Sequence, residues 1–260
     1  MGSPRTLVVL GCGTSMGVPM IGCRCPVCTS PNPRNSRTRP SVLLHLPAGN
    51  LLIDTSPELR LQLVREQIGL VHAVLYTHYH VDHLFGLDDA RVFPAALGHP
   101  LPVYCTDEVE EVIRQAFSYA FHPPPGDAPS FVLPSLAFRR IATDPFELLG
   151  EQVLPVPLVH GRFNVLGFRF RDLAYCTDVN RIPEASWPLL EGLDTLVLDC
   201  LRPGESHPSH FGLTDVWQVV ERLKPRRTYL THMSHKFDYD HPPPLPPGVQ
   251  LGYDGLRIDF

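Results

Sequence analysis

Thr77-His78-Tyr79-His80-Val81-Asp82-His83 follows directly on the apolar run Ala73–Tyr76. A strand-like segment thus ends in four metal-capable side chains, and strand ends are where polar groups can leave a sheet and meet solvent. His78 and His80 lie two residues apart and share a direction in extended chain. Asp82 and His83 follow as the chain turns toward a helix. Four donors this close can serve two adjacent metal ions. Chance gives roughly 0.002 HxHxDH matches in a chain of this composition, so a histidine-rich surface turn is the weaker reading.

Three more candidates end other apolar runs: His160 after Leu154–Val159, Asp178 after Leu173–Thr177, and His232 after Tyr229–Thr231. Alone, each reads as a cap or a solvated loop residue. With the first cluster they complete a set of donors large enough for two ions that share one carboxylate. Donors of this type suit Zn, Mn or Fe.

A second group of donors is Gly22-Cys23-Arg24-Cys25-Pro26-Val27-Cys28. Three thiolates need one more ligand for tetrahedral structural zinc, commonly a histidine. His235 lies three residues after His232 and is the natural fourth, so one loop would feed both sites. The other four cysteines, Cys12, Cys105, Cys176 and Cys200, sit in or beside apolar runs and read as small buried hydrophobes. An odd cysteine count with one tight cluster favours metal binding over a disulfide framework. That implies a reducing, cytoplasmic setting.

Composition sets the remaining bounds. The chain has 260 residues with 43% hydrophobic residues, enough for one sizeable core. The reading is one domain over 1–260, with a structural zinc loop at about 22–29. No apolar run approaches the roughly 18 residues of a membrane span. Residues 1–6 fit a loose myristoylation pattern but read as a plain N-terminus. The formal net charge of −5 opposes binding of long nucleic acid, which wants a basic face. A small anionic substrate stays open, because bound metal reverses the local sign. Nothing opposes a homodimer.

Strand patterns recur at Thr6–Leu10, Ser41–Leu46, Leu51–Ile53, Val71–Tyr76, Pro102–Cys105, Val153–Val159, Val165–Phe170, Leu173–Cys176, Thr195–Leu198 and Thr228–Leu230. Helical spacing predicts helices at Pro57–Ile68 closed by Gly69, at Asp107–Phe121, and at Thr214–Leu223 capped by Thr214. The Pro-rich stretch Pro123–Pro134 reads as a loop or insertion. Many strands with few helices between them predict an α/β fold of stacked sheets with helices outside.

The pattern THYHVDH, then an isolated His160, then Asp178 in YCTD, then His232 in LTHMSH, resembles the metallo-β-lactamase superfamily over nearly the whole chain. The resemblance implies a four-layer αββα sandwich of two mixed sheets and two catalytic metal ions. It implies His78, His80 and His160 on one ion, Asp82, His83 and His232 on the other, and Asp178 bridging. Asp54 in LLIDTSPE matches an aspartate that orients a ligand; a helix cap before Pro57 is a compatible role. The stretch LGCGTSMGVPMIGCRCPVC, with LTHMSHKFD, narrows the resemblance to the phosphoribosyl cyclic phosphate phosphodiesterases of the carbon–phosphorus lyase pathway. That branch implies hydrolysis of a small cyclic phosphodiester. It also places a histidine near the scissile phosphate; His210, directly before FGLTDV, is preferred to His207. The expected catalytic residues are Asp82 and His210. The rival expectations are a tRNA 3′-processing ribonuclease and a non-catalytic carrier resembling the pyrroloquinoline quinone biosynthesis protein B.

Overall fold

The computed structural model describes residues 5–122 and 133–260. The segment MGSP and most of the Pro-rich stretch lie outside the described residues. The strands are β1 (Thr6–Gly11), β2 (Ser41–Leu46), β3 (Gly49–Ile53), β4 (Ala73–Leu75), β5 (Leu101–Cys105), β6 (Leu136–Arg140), β7 (Phe146–Leu148), β8 (Glu151–His160), β9 (Phe163–Phe170), β10 (Leu173–Cys176), β11 (Thr195–Asp199), β12 (Arg227–Thr231), β13 (Val249–Leu251) and β14 (Arg257–Asp259). The helices are α1 (Leu59–Arg65), α2 (Val81–Leu84), α3 (Phe93–Leu97), α4 (Asp107–Ala116), α5 (Ser118–Phe121) and α6 (Leu213–Leu223). None of these is long and apolar enough to cross a membrane.

The strands form two seven-stranded mixed sheets, ordered β14-β1-β2-β3-β4-β5-β6 and β13-β12-β11-β10-β9-β8-β7. Both carry the same pattern of pairing. Along β14 to β4 the first three pairs are antiparallel, and the pairs from β3 to β6 are parallel. Along β7 to β10 the pairs are again antiparallel, and from β10 to β13 parallel. No sequence repeat marks this equivalence.

Period-2 alternation explains the layers. Leu7, Val9, Val42, Leu44, Leu51 and Ile53 face the second sheet and join Val156, Leu158, Phe168 and Phe170 in the main core. Their neighbours Val8, Leu10, Leu43, Leu52 and Val74 face the opposite way and pack with Leu59 and Leu63 of α1 and Val109 and Ile113 of α4. Both faces are buried, so these strands are near-continuous apolar runs, and the αββα expectation holds. On the far side of the second sheet, α6 contributes Leu213, Val216 and Val219.

Element ends depart from expectation in places. Helix α1 stops at Arg65, and the left-handed residue after it is Gln67 (φ 56°), so Gly69 is not its cap. The helix predicted over Asp107–Phe121 breaks at Phe117 (φ −112°, ψ 38°). Helix α6 is capped two residues earlier than Thr214: Gly212 takes the N-cap, and its N–H donates to Asp215 Oδ2 at 2.8 Å. The edge strands β6, β7, β13 and β14 carry no sequence pattern strong enough to predict.

Candidate metal centre

The site lies at strand ends of both sheets. After β4, Thr77 starts the motif; α2 then lifts Asp82 and His83 into the seam. That helical turn is pressed against the chain after β3. Thr55 N–H donates to His83 O at 2.6 Å, and a Cβ on Gly86 would fall 1.9 Å from Ser56 O. From the second sheet come His160 at the end of β8, Asp178 after β10, Asp199 at the end of β11, and His232 after β12.

Two donor groups form there: His78, His80, His160 and Asp178, and Asp82, His83, Asp178 and His232. Within each group the donor atoms lie within 4.8 Å of one another. His232 Nε2 lies 3.4 Å from both Asp82 Oδ2 and Asp178 Oδ1, and His83 Nε2 lies 3.0 Å from Asp178 Oδ2. Tetrahedral bonds of about 2.0–2.2 Å to N and O imply N···O edges of about 3.4 Å. The spacing therefore fits ligands around an ion. His83 Nε2 is buried with no hydrogen-bond partner, as a nitrogen reserved for a metal would be.

The outer nitrogens fix the tautomers. Asp54 is wholly buried and accepts from Thr77 N–H at 2.9 Å, from Thr77 Oγ1 at 2.8 Å and from His83 Nδ1 at 2.7 Å. His78 Nδ1 donates to Thr77 Oγ1 at 2.9 Å, and His160 Nδ1 to Ser209 O at 2.6 Å. Each leaves Nε2 turned inward, the usual arrangement of a ligand histidine.

Backbone and charge carry the same signature. Asp54 (φ 63°), Asp178 (φ 51°) and His232 (φ 59°) all sit in the left-handed region, which costs a non-glycine residue about 1–3 kcal/mol and clusters at functional sites. Burial opposes ionisation of Asp178, but His232 and His83 hold its carboxyl well below the usual range. Burial likewise opposes charge on His232, yet Asp178 and Asp82 lift its imidazole to about 9. His83 rises for the same reason, with Asp178 the main attraction against burial. His78 is driven well down by burial and by the charge of His83. The carboxylates thus hold protons on two imidazoles where cationic charge belongs.

The cysteine loop closes on His235. His235 Nδ1 lies 3.3 Å from Cys23 Sγ, 3.7 Å from Cys25 Sγ and 3.4 Å from Cys28 Sγ. Tetrahedral Zn–S and Zn–N bonds imply edges of about 3.6 Å. Cys28 N–H pulls the Cys25 thiol down, while burial pushes Cys28 up to about 11. All seven cysteines are free, and Cys12, Cys105, Cys176 and Cys200 are buried.

Every predicted ligand thus joins one of the three groups, and Asp54 stands behind His83. His210 is brought in as well: its ring stacks 4.5 Å from that of His232 at an interplanar angle of 15°. His207 lies one ring further out, 5.8 Å from His210. One residue escaped prediction. Asp199, wholly buried, accepts from His210 Nδ1 and from Val179 N–H, both at 2.8 Å. Its Oδ1 lies 4.0 Å from His232 Nδ1. The available signal was the parallel between Leu51-Leu52-Ile53-Asp54 and Leu196-Val197-Leu198-Asp199, two aliphatic runs that each end in aspartate.

Comparison with known proteins agrees with this geometry. Residues 49–233 match the β-lactamase superfamily domain. The full chain superposes on the crystal structure of a diphosphatase from the PhnP family with a TM-score of 0.91 and 41% identity, covering 100% of this chain and 98% of that one. The chain belongs to the metallo-β-lactamase superfamily, and within it to the PhnP family. The superfamily match leaves the cysteine loop outside; the PhnP-family match includes it. An octanoyltransferase of Porphyromonas gingivalis is 35% identical over 256 residues, 96% of this chain; the chain spans 50% of that protein's length. The zinc-bound PqqB of Methylobacterium extorquens shares the fold, with a TM-score of 0.76 and 20% identity over 98% of this chain and 100% of that one. The chain has the metallo-β-lactamase fold, with clusters able to bind metal.

Proposed function

We propose that this protein hydrolyses a small phosphodiester, most naturally a cyclic one, at a dinuclear metal site. His78, His80 and His160 would hold one ion, Asp82, His83 and His232 the other, and Asp178 would bridge. Zinc, manganese and iron all suit these donors. Bound ions would supply an acidified water and neutralise the anionic phosphoryl oxygens. Cys23, Cys25, Cys28 and His235 would hold a structural zinc.

The observation that carries the reading is the Asp199–His210 pair. A diester releases an alkoxide, which needs a proton as it leaves. His210 Nδ1 is tied to the buried Asp199 carboxylate at 2.8 Å, which fixes the ring. Its Nε2 is then free to donate to the leaving oxygen beside His232. Such proton transfer contributes about 10²–10⁴-fold. Asp199 acts through His210 and is a positioning residue. The net charge of −5 supports a small substrate over long nucleic acid.

A second reading, cleavage of a diphosphate, is supported by the 41% identity to a PhnP-family diphosphatase. The two differ in their need for an acid, because a phosphate leaves without a proton far more readily than an alkoxide. The test is metal-loaded protein assayed on bis(p-nitrophenyl) phosphate, on small cyclic phosphodiesters and on organic diphosphates. Cleavage of alkyl diesters that falls about 100-fold or more in His210→Ala supports the first reading. Cleavage confined to diphosphates and insensitive to His210→Ala supports the second. No P–O cleavage of any of them by protein with bound metal overturns both.

A further inference from the structure

Two pockets flank the centre, and they differ in charge. One, of about 490 Å³, runs from Thr77 and His78 to the start of α4, with Asp107 and Glu108 in its wall and no lysine or arginine. The other, of about 270 Å³, is lined by Arg202, His207 and Lys236, by Met16 and Met20, and by no carboxylate. In a chain of net charge −5 with only two lysines, a cation-lined pocket free of acids is a local reversal.

Its position relates it to the chemistry. The ring of His207 lies 5.8 Å from that of His210, and Ser234 and His235 directly follow the His232–Met233 segment. Thr14 N–H donates to Met233 O at 3.2 Å, which seats the opposite wall against the same segment. The Arg202 guanidinium is pinned by Glu205 O at 3.0 Å and Ser206 O at 2.6 Å, so its charge is fixed in place. Lys236 is exposed and pairs with no carboxylate among the described residues. The cysteine loop shapes the far wall: Met20 N–H donates to Cys28 Sγ at 3.4 Å, and His235 is a member of both the thiolate group and the pocket.

We infer that this pocket receives the part of the substrate attached to the leaving oxygen and that Lys236 selects substrates bearing negative charge there. The inference rests on the hydrolytic reading above. In that reaction a water oxygen bonds to phosphorus, the P–O bond to the leaving group breaks, and a proton from His210 passes to the departing oxygen. The departing oxygen must therefore lie beside His210, and the group attached to it extends toward the adjoining pocket. Met16 and Met20 give adaptable apolar walls for that group's carbon skeleton. The acidic pocket on the His78 side would repel the same group.

The test uses two diesters with similar phenol leaving groups: phenyl 4-nitrophenyl phosphate and phenyl 3-carboxy-4-nitrophenyl phosphate. Metal-loaded protein should favour the carboxylated ester by roughly tenfold in kcat/KM, the effect of one charge pair in a half-enclosed pocket. The preference should appear mainly in KM. It should collapse toward unity in Lys236→Ala, invert in Lys236→Glu and survive in Lys236→Arg. Hydrolysis of both esters without preference, or a preference untouched by Lys236→Ala, overturns the inference and leaves the hydrolytic reading standing. Hydrolysis of neither ester overturns both.

Discussion

Asp54 and His83 meet at 2.7 Å, Oδ2 to Nδ1, with both side chains fully sealed from solvent. Burial pushes the Asp54 carboxyl up, and the charge of His83 works against that rise. The pair orients one imidazole and, through Thr77, the strand end that carries His78. Replacing Asp54 with Asn keeps the shape but offers an amide N–H where donors already converge. Asp54→Asn should weaken metal binding about 10–100-fold, with a stability loss of about 1–3 kcal/mol. Metal titration followed by elemental analysis decides it; unchanged affinity would remove Asp54 from the site.

Metal binding should release protons, and the direction follows from the raised imidazoles. His232 titrates near 9 in the metal-free protein, above the ordinary 6.5. Below that pH it holds a proton that an ion must displace; above it the nitrogen is already free. Affinity should therefore climb as pH rises from about 6.5 to 9 and then flatten with respect to this group. Calorimetry in buffers of different ionisation enthalpy counts the protons. Affinity independent of pH across that window would mean that His232 carries no such proton in the metal-free protein.

The thiolate group and the His/Asp site should be separable although His232 and His235 share a loop. Cys25→Ser and His235→Ala each remove one corner of the same tetrahedron, and its binding energy is folding energy. Both should lose zinc and about 4 kcal/mol, lowering Tm by roughly 10 °C. His232→Ala should abolish turnover with a smaller change in Tm. If zinc persisted in one of the first two variants but not the other, a different fourth ligand would hold it.

What the sequence reveals here depends on density. His78, His80, Asp82 and His83 stand out because four donors in six residues are improbable by chance. His160, Asp178 and His232 become legible only after that cluster is seen. Asp199 is a lone carboxylate that ends an apolar strand, and only its likeness to the run that ends in Asp54 sets it apart. The same limit governs the fold. The core strands announce themselves as long aliphatic runs, whereas β14 is three residues whose only partner in the sheet is β1, as in Thr6 opposite Asp259. Such pairing is fixed by the closure of the whole sheet and leaves no trace in its neighbours. Gln67 in place of Gly69 shows a smaller version: where a helix stops depends on what it packs against.

The shared pairing pattern of the two sheets has a mechanical corollary. The two four-residue groups built around Asp178 each draw two donors from the first half of the chain and two from the second: His78 and His80 with His160 and Asp178, and Asp82 and His83 with Asp178 and His232. Neither of these two groups is complete in one half alone, so an ion held by either would be a rivet through the seam. Metal affinity becomes a gauge of how well the halves are aligned. A cavity opened far from any ligand, as by Phe168→Ala in the core between the sheets, should slacken both rivets together.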